Sequence, residues 1–561
     1  VNRKIEEESM LSKNRFSVYV FLLAIALFIG VFSLSSSAPQ QSPKLRFELS
    51  FAESVHREAI TGRVFVMVTK DDRREPRLQA GSWRRSVPFF GLDVHDLKPE
   101  DSVLFDETIL GYPLKSLSDI PAGDYSVQAL LNIYTKFERA DGHVIWAHMD
   151  QWEGQQFNRS PGNLYSTPQN VHLDPTEGYT VTLSMDQVIP PIEVPADNEW
   201  VKRIKFKSEL LSEFWGHPMY IGATILLPMG YDSHPDVYYP VIYRQGHFST
   251  RAPYGLEDEK SAFYKTWTAA DFPRMIVVTF QHPCPYFDDS YAVNSLNCGP
   301  YGDAIMQELI PKIEEEFRII RKPYARVLTG GSTGGWESLA LQIFHPDFFG
   351  GTWSFCPDPI DFNYYGLVNI YKDDNACFIE SGWMRPERPL MRDEHGQVLV
   401  TMREMNQLEA VLGTNGRSGQ QLDIWQAAYG PIGEDGYPKP LWDKLTGEID
   451  HEVALYMRDR FDLVYYLKQH WAEIGPQLVG KLYLFCGDMD NFYLNEAVYE
   501  METFLENTKD PYYGGSFRYG RPRKPHGWSP FGRNSGDLEK EMAAHITKNA
   551  PAGEDTSKWK Y

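Results

Sequence analysis

The most constraining stretch of this chain is residues 327–336, VLTGGSTGGW, in which Gly330-Gly331-Ser332-Thr333-Gly334 fits the pattern G-x-S-x-G. An apolar run precedes it, and a helical pattern, ESLALQIF at 337–344, follows it. A strand that turns sharply into a helix with serine at the corner needs small residues on both sides, because the backbone is crowded there. The turn leaves the serine hydroxyl exposed above the end of the strand, at the N-terminus of the helix. A glycine-rich turn that happens to contain serine would satisfy the same string. The strand and helix around Ser332 favour the elbow.

The surrounding pattern supplies a sheet for such a strand. Continuous apolar runs at 239–245 (YPVIYRQ), 274–281 (RMIVVTFQ), 325–330 (ARVLTG), 351–356 (GTWSFC) and 481–487 (KLYLFCG) suit parallel strands covered on both faces. The run at 219–228 (MYIGATILLP) reads as an early antiparallel strand. Helical patterns lie between them; in 303–319 the residues Ile305, Leu309, Ile313 and Phe317 recur every four positions. Strand, helix and strand in alternation predict an α/β domain over 198–550. Residues 357–479 form a long excursion within it, loop-like at 364–403 and helical around 451–470. They are expected to act as a lid. Before this domain, residues 45–190 hold short alternating segments such as RVFVMV (63–68) and DYSVQALLNIY (124–134), separated by turn residues. They predict an all-β sandwich, joined through the Pro-rich stretch 189–199.

A serine hydroxyl becomes a nucleophile when a base takes its proton and an acid orients the base. In a fold with this elbow the expected order is Ser, acid, His. Past His345 the chain has His395, His451, His470, His526 and His545. His526 lies in KPHGWSPF (524–531), a Gly/Pro loop beyond the last strand, and is the candidate base. The 481–487 strand runs into Asp488-Met489-Asp490. Asp490 is the candidate acid, because its spacing from Gly487 carries it past the strand end; Asp488 is the alternative. Donors for a developing oxyanion are expected from the backbone N–H of Thr333 and of Phe248, with His247 as the alternative to Phe248. His247, Trp336 and Trp528 are candidate substrate contacts, although core packing explains most aromatic residues equally well.

The segments YPVIYRQGHF (239–248), ELIPKIEEEFRI (308–319), the elbow followed by HPDFFGG (345–351), GDMDNFYL (487–494) and HGW (526–528) resemble the esterase D and enterochelin-esterase family. The resemblance covers about 201–548. It implies an α/β-hydrolase fold and acyl-enzyme chemistry on carboxylic esters without a cofactor, with Asp490 and His526 at the family's acid and base positions. Gly246-His247 stands where the family more often has His-Gly, and Thr333 where Met is common. These departures bear on the pocket and the substrate. The N-terminal region resembles, more weakly, the sandwich modules of some exported members.

Charge and the N-terminus bound the setting. The formal net charge of −21 lacks the basic footprint of a nucleic-acid partner. Residues 16–34 (FSVYVFLLAIALFIGVFSL) are uncharged, preceded by Lys13 and Arg15 and followed by small residues through Ala38. Residues 1–38 are therefore expected to be an export signal, or an anchor if uncleaved, since about 19 apolar residues just span a bilayer. The expected location is periplasmic or extracellular. Of the five cysteines, Cys284 with Cys298 and Cys356 with Cys377 are candidate pairs, and Cys486 reads as a buried thiol. No CxxC occurs, so zinc is not expected. The expected partner is a small-molecule or carbohydrate-linked ester. Acyl transfer with the same triad and a non-catalytic, carbohydrate-binding surface protein are the competing readings.

Overall fold

The computed structural model describes residues 44–561. The expected signal or anchor segment lies outside the described residues, and no described helix is long and apolar enough to cross a membrane.

Eight strands form the main sheet: β1 (Val201–Ser208), β2 (Met219–Leu226), β3 (Val241–Gln245), β4 (Ile276–Gln281), β5 (Arg326–Gly331), β6 (Gly351–Phe355), β7 (Leu482–Gly487) and β8 (Ser516–Gly520). Their spatial order is β1-β2-β4-β3-β5-β6-β7-β8. β2 is antiparallel to both its neighbours, and every pair from β4 to β8 is parallel. This is the α/β-hydrolase arrangement. The apolar runs are the doubly covered central strands: β3, β4 and β5 bury Val241, Ile242, Val277, Val278, Val327 and Leu328 completely. The two edge strands escaped the sequence reading for a physical reason. β1 (VKRIKFKS) and β8 (SFRYG) each carry charged or half-exposed positions, so neither presents a continuous apolar run.

The N-terminal region holds a seven-stranded sheet and a three-stranded sheet. Val64, Val66 and Val68 on strand Ile60–Thr69 share a core with Phe47, Leu49, Phe105 and Leu183 of the smaller sheet. Because side chains alternate along a strand, Phe65 and Met67 face the other way, into the core of the α/β unit. All ten residues of Ile60–Thr69 are buried. The larger sheet is thus covered on both faces along this central strand. A charged clamp reinforces the contact. Arg63 donates to the Val411 carbonyl at 2.9 Å and pairs with Asp93 at 2.6 Å, and Arg417 reaches the same carboxylate at 3.0 Å.

Between β6 and β7 lie a hairpin (Pro389–Arg392 with Val398–Thr401) and the helices Met402–Leu412, Gln421–Tyr429, His451–Phe461 and Leu463–Leu478. The expected single helix at 451–470 is two helices, broken at Asp462, whose carboxylate accepts the N–H groups of Phe362 and Tyr465. Tyr466 packs on Phe344 at 5.1 Å, which makes Leu463–Leu478 the crossover helix of the sheet rather than part of a lid. All five cysteines are free and buried. Neither candidate pair is bridged: Cys284 donates to the Asp289 carbonyl, Cys377 accepts from Asn406, and Cys356 accepts from the Gly527 N–H.

Candidate active site

Ser332 sits between β5 and helix α1 (Thr333–Phe344) with φ 58° and ψ −122°. Positive φ is uncommon for a residue with a Cβ and stores on the order of 1–3 kcal/mol of strain, sustained by the packing around it. The glycines of the motif are sterically required. A Cβ at Gly330 would collide with the Gly334 carbonyl, and one at Gly334 with the Gln245 carbonyl on β3. Thr333, as the first residue of α1, has an N–H without an intrahelical acceptor, as all first-turn amides do.

Asp490 follows β7 and is fully buried. Its Oδ1 accepts the N–H of Phe492 at 2.9 Å and of Leu494 at 3.3 Å, and its Oδ2 accepts from His526 Nδ1 at 2.7 Å. The Oδ2 contact places an imidazole proton on Nδ1, so that in the neutral ring Nε2 is the acceptor. Burial pushes the His526 imidazole down, but the Cys356 sulfur and the Asp490 carboxylate outweigh it and hold the group well above the usual histidine range. Asp488 instead accepts the Lys524 N–H at 2.8 Å, a loop-forming role. The acid loop is braced from the excursion: Arg392 donates to the Asp490 carbonyl at 3.0 Å and exchanges backbone and side-chain bonds with Asn491.

Ser332 and His526 line one cavity of about 680 Å³. No hydrogen bond joins them among the described residues. The Ser332 hydroxyl donates instead to Asp358 Oδ1 at 3.1 Å. Asp358 follows β6 and is buried, and burial raises its carboxyl above the usual range despite the bonds from Tyr291 and Thr333. His247 also lines the cavity. Its Nδ1 lies 3.0 Å from Asp288, whose charge holds the imidazole well above its ordinary range, and the side chain is half-exposed. Two groups, Cys356 with Asp490 and His526, and His247 with Asp288 and Asp289, bring potential metal-ligating atoms within 4.8 Å of one another. In each, the imidazole Nδ1 is already paired to a carboxylate.

The other candidates fall elsewhere. Trp336 is fully buried between Tyr291 and Tyr429, and Trp528 packs over Gly520 at the end of β8; neither lines the cavity. Trp336 belongs to the packing under the site, and Trp528 is a partly buried residue packed against the core outside the cavity. The Phe248 ring lies against Trp152 at 5.1 Å and over Gly154, so this loop borders the cavity through His247. His395, His451, His470 and His545 are bonded or exposed outside the cavity.

The N-terminal region supplies part of the cavity wall, which the sequence reading missed. Leu78, Ala80, Trp83 and Phe157 line it together with Leu390, Met405 and Trp425 of the excursion. Trp83 meets Phe492 edge-to-face at 5.6 Å, and Phe492 meets the His526 ring at 5.0 Å. A chain of aromatic contacts therefore runs from the N-terminal region to the imidazole.

Residues 217–421 match the family described as "Putative esterase". This segment belongs to that family of esterases. Among solved structures the chain is similar to a ferulic acid esterase (15% identical, covering 62% of this chain and 99% of that one, TM-score 0.36). It is also similar to an S-formylglutathione hydrolase from Agrobacterium tumefaciens (13% identical, 62% and 95% covered, TM-score 0.34). A third similar structure is FphF of Staphylococcus aureus, a fluorophosphonate-binding serine hydrolase (12% identical, 62% and 98% covered, TM-score 0.32). No curated protein is matched by this chain.

Proposed function

We propose that this protein is an exported serine hydrolase that cleaves carboxylic esters through an acyl-enzyme, with Ser332 as nucleophile, His526 as base and Asp490 as orienting acid. The observation that carries the reading is the buried Asp490–His526 pair at 2.7 Å, opening on the same cavity as the strained Ser332 elbow. The hydroxyl of Ser332 turns from Asp358 toward His526 Nε2. As Oγ bonds to the ester carbon, its proton passes to Nε2 and the carbonyl π pair moves onto oxygen. The oxyanion is met by the Thr333 N–H and a second donor from the 246–248 loop. Collapse expels the alkoxide, which takes the proton from Nε2; water then repeats the sequence and releases the acid. Asp490 favours the imidazolium at both steps. The cavity, apolar on its Leu390, Met405 and Trp83 sides, suits a bulky acyl or alcohol group. Export is supported by the apolar segment 16–34 with its basic flank.

The test is turnover of p-nitrophenyl acyl esters and feruloyl esters by the wild type and by Ser332→Ala. Hydrolysis lost in the variant supports the reading. Turnover retained by Ser332→Ala, or absent from the wild type on every ester, refutes it. Acceptor alcohols added to the same assay would reveal acyl transfer as ester product in place of free acid.

A further inference from the structure

Asp358 is the carboxylate that the acylation steps leave unused, and its two oxygens are served unequally. Oδ2 receives Tyr291 Oη at 2.5 Å, Thr333 Oγ1 at 3.0 Å, Gln421 Nε2 at 3.1 Å and Trp425 Nε1 at 3.4 Å. Gln421 and Trp425 lie on helix α2 (Gln421–Tyr429) of the excursion, so donors from three separate segments fix the carboxylate in place. Oδ1 receives one side-chain donor among the described residues, the Ser332 hydroxyl at 3.1 Å.

That bond cannot outlast acylation. The hydroxyl proton goes to His526, and the ester oxygen that replaces the hydroxyl has only lone pairs. A buried carboxylate oxygen would then face an acceptor, which is among the costlier arrangements in a protein interior. Oδ2 is pinned, so the group cannot turn away. We infer that the substrate supplies the missing donor: the site is built for esters whose acyl part carries a hydroxyl, amine or amide N–H on the carbon next to the carbonyl. This rests on Ser332 being the nucleophile proposed above. In the acyl-enzyme such a substituent is three bonds from Oγ, and bonds of about 1.5 Å put it roughly 3 Å away. Oδ1 lies 3.1 Å from the same Oγ, and Asp358 lines the cavity that receives the acyl group. Asp358 is thus a specificity-determining residue that reads the acyl α-position.

Boronic acids test this without knowledge of the natural ester. Boron accepts the Oγ lone pair as the hydroxyl proton moves to His526, so the adduct strips Asp358 of the same donor. Inhibition constants would be measured on the full chain by competition with a fluorophosphonate probe at Ser332. The compounds are 1-acetamidoethylboronic acid, its N-methyl analogue and ethylboronic acid. The compound with the N–H should bind tighter than the other two by about tenfold or more, as expected for a hydrogen bond to a charged acceptor. The preference should collapse in Asp358→Asn. Equal binding of all three by the wild type overturns the inference, as does a preference undiminished in the variant. Should Asp358→Asn not fold, the crystal structure of the wild-type adduct decides: the N–H on Oδ1 supports the inference, and the N–H directed elsewhere overturns it. A wild type whose Ser332 is never labelled overturns the nucleophile assignment itself, an outcome distinct from labelling without preference.

Discussion

Replacing Trp83 with alanine separates a wall from a brace. Trp83 belongs to the N-terminal region, yet it touches Phe492, and Phe492 touches the ring of His526. An edge-to-face pair contributes about 0.5–1.5 kcal/mol beyond its buried area. If that energy holds Phe492, and through it the imidazole, its loss lowers kcat by about two- to tenfold. The drop should be shared by small and large esters, since the imidazole serves both. If Trp83 acts only as cavity wall, kcat is spared and KM rises for bulky esters alone. The assay is steady-state kcat and KM on p-nitrophenyl acetate and on a bulky aromatic ester, for wild type, Trp83→Ala and Trp83→Phe, with melting temperatures measured in parallel. The brace predicts a lowered kcat on both esters, largely rescued by phenylalanine, at an unchanged melting temperature. Unchanged kinetics on both esters would refute any role for Trp83 at the site.

Other outcomes follow from the same contacts. Acylation needs neutral Nε2 on His526, whose pKa is held high, so activity should rise with pH through a midpoint above about 6.5, and removing the carboxylate in Asp490→Asn should move that midpoint down. The same variant should lose about 10⁴-fold in kcat, whereas Asp488→Asn, whose carboxylate only caps the Lys524 amide, should stay within about twofold. Asp93→Asn leaves Arg63 and Arg417 without their anion and should destabilise the fold by about 3 kcal/mol in urea titration at neutral pH. The two guanidinium groups overcome burial and lower the Asp93 pKa, so its contribution is present above the usual aspartate range and fades as pH falls through the lowered value. The wild type and Asp93→Asn should therefore converge in strong acid.

What the sequence disclosed and what it hid divide along physical lines. The central strands were legible because burial on both faces demands apolar runs, and the elbow was legible because crowding at Gly330 and Gly334 restricts those positions to glycine. The pairing of Asp490 with His526 followed from chain order and strand ends. Asp358 was invisible, since one aspartate after a strand carries no pattern; its meaning comes from Tyr291, Gln421 and Trp425, which are distant in sequence. Trp336 misled because proximity to Ser332 along a helix says nothing of which face it occupies. The N-terminal contribution was hidden for a related reason. Phe65 and Met67 alternate with Val64 and Val66, and only the folded chain shows that both faces of that strand are covered.

The most direct test of the central claim is the site of covalent labelling. The full chain treated with a fluorophosphonate should gain one adduct, and peptide mass spectrometry should place it on Ser332. Ser332→Ala should gain none while keeping the wild-type melting temperature, and His526→Ala should label far more slowly. An adduct on any other residue, or labelling that persists in a folded Ser332→Ala protein, would contradict the account.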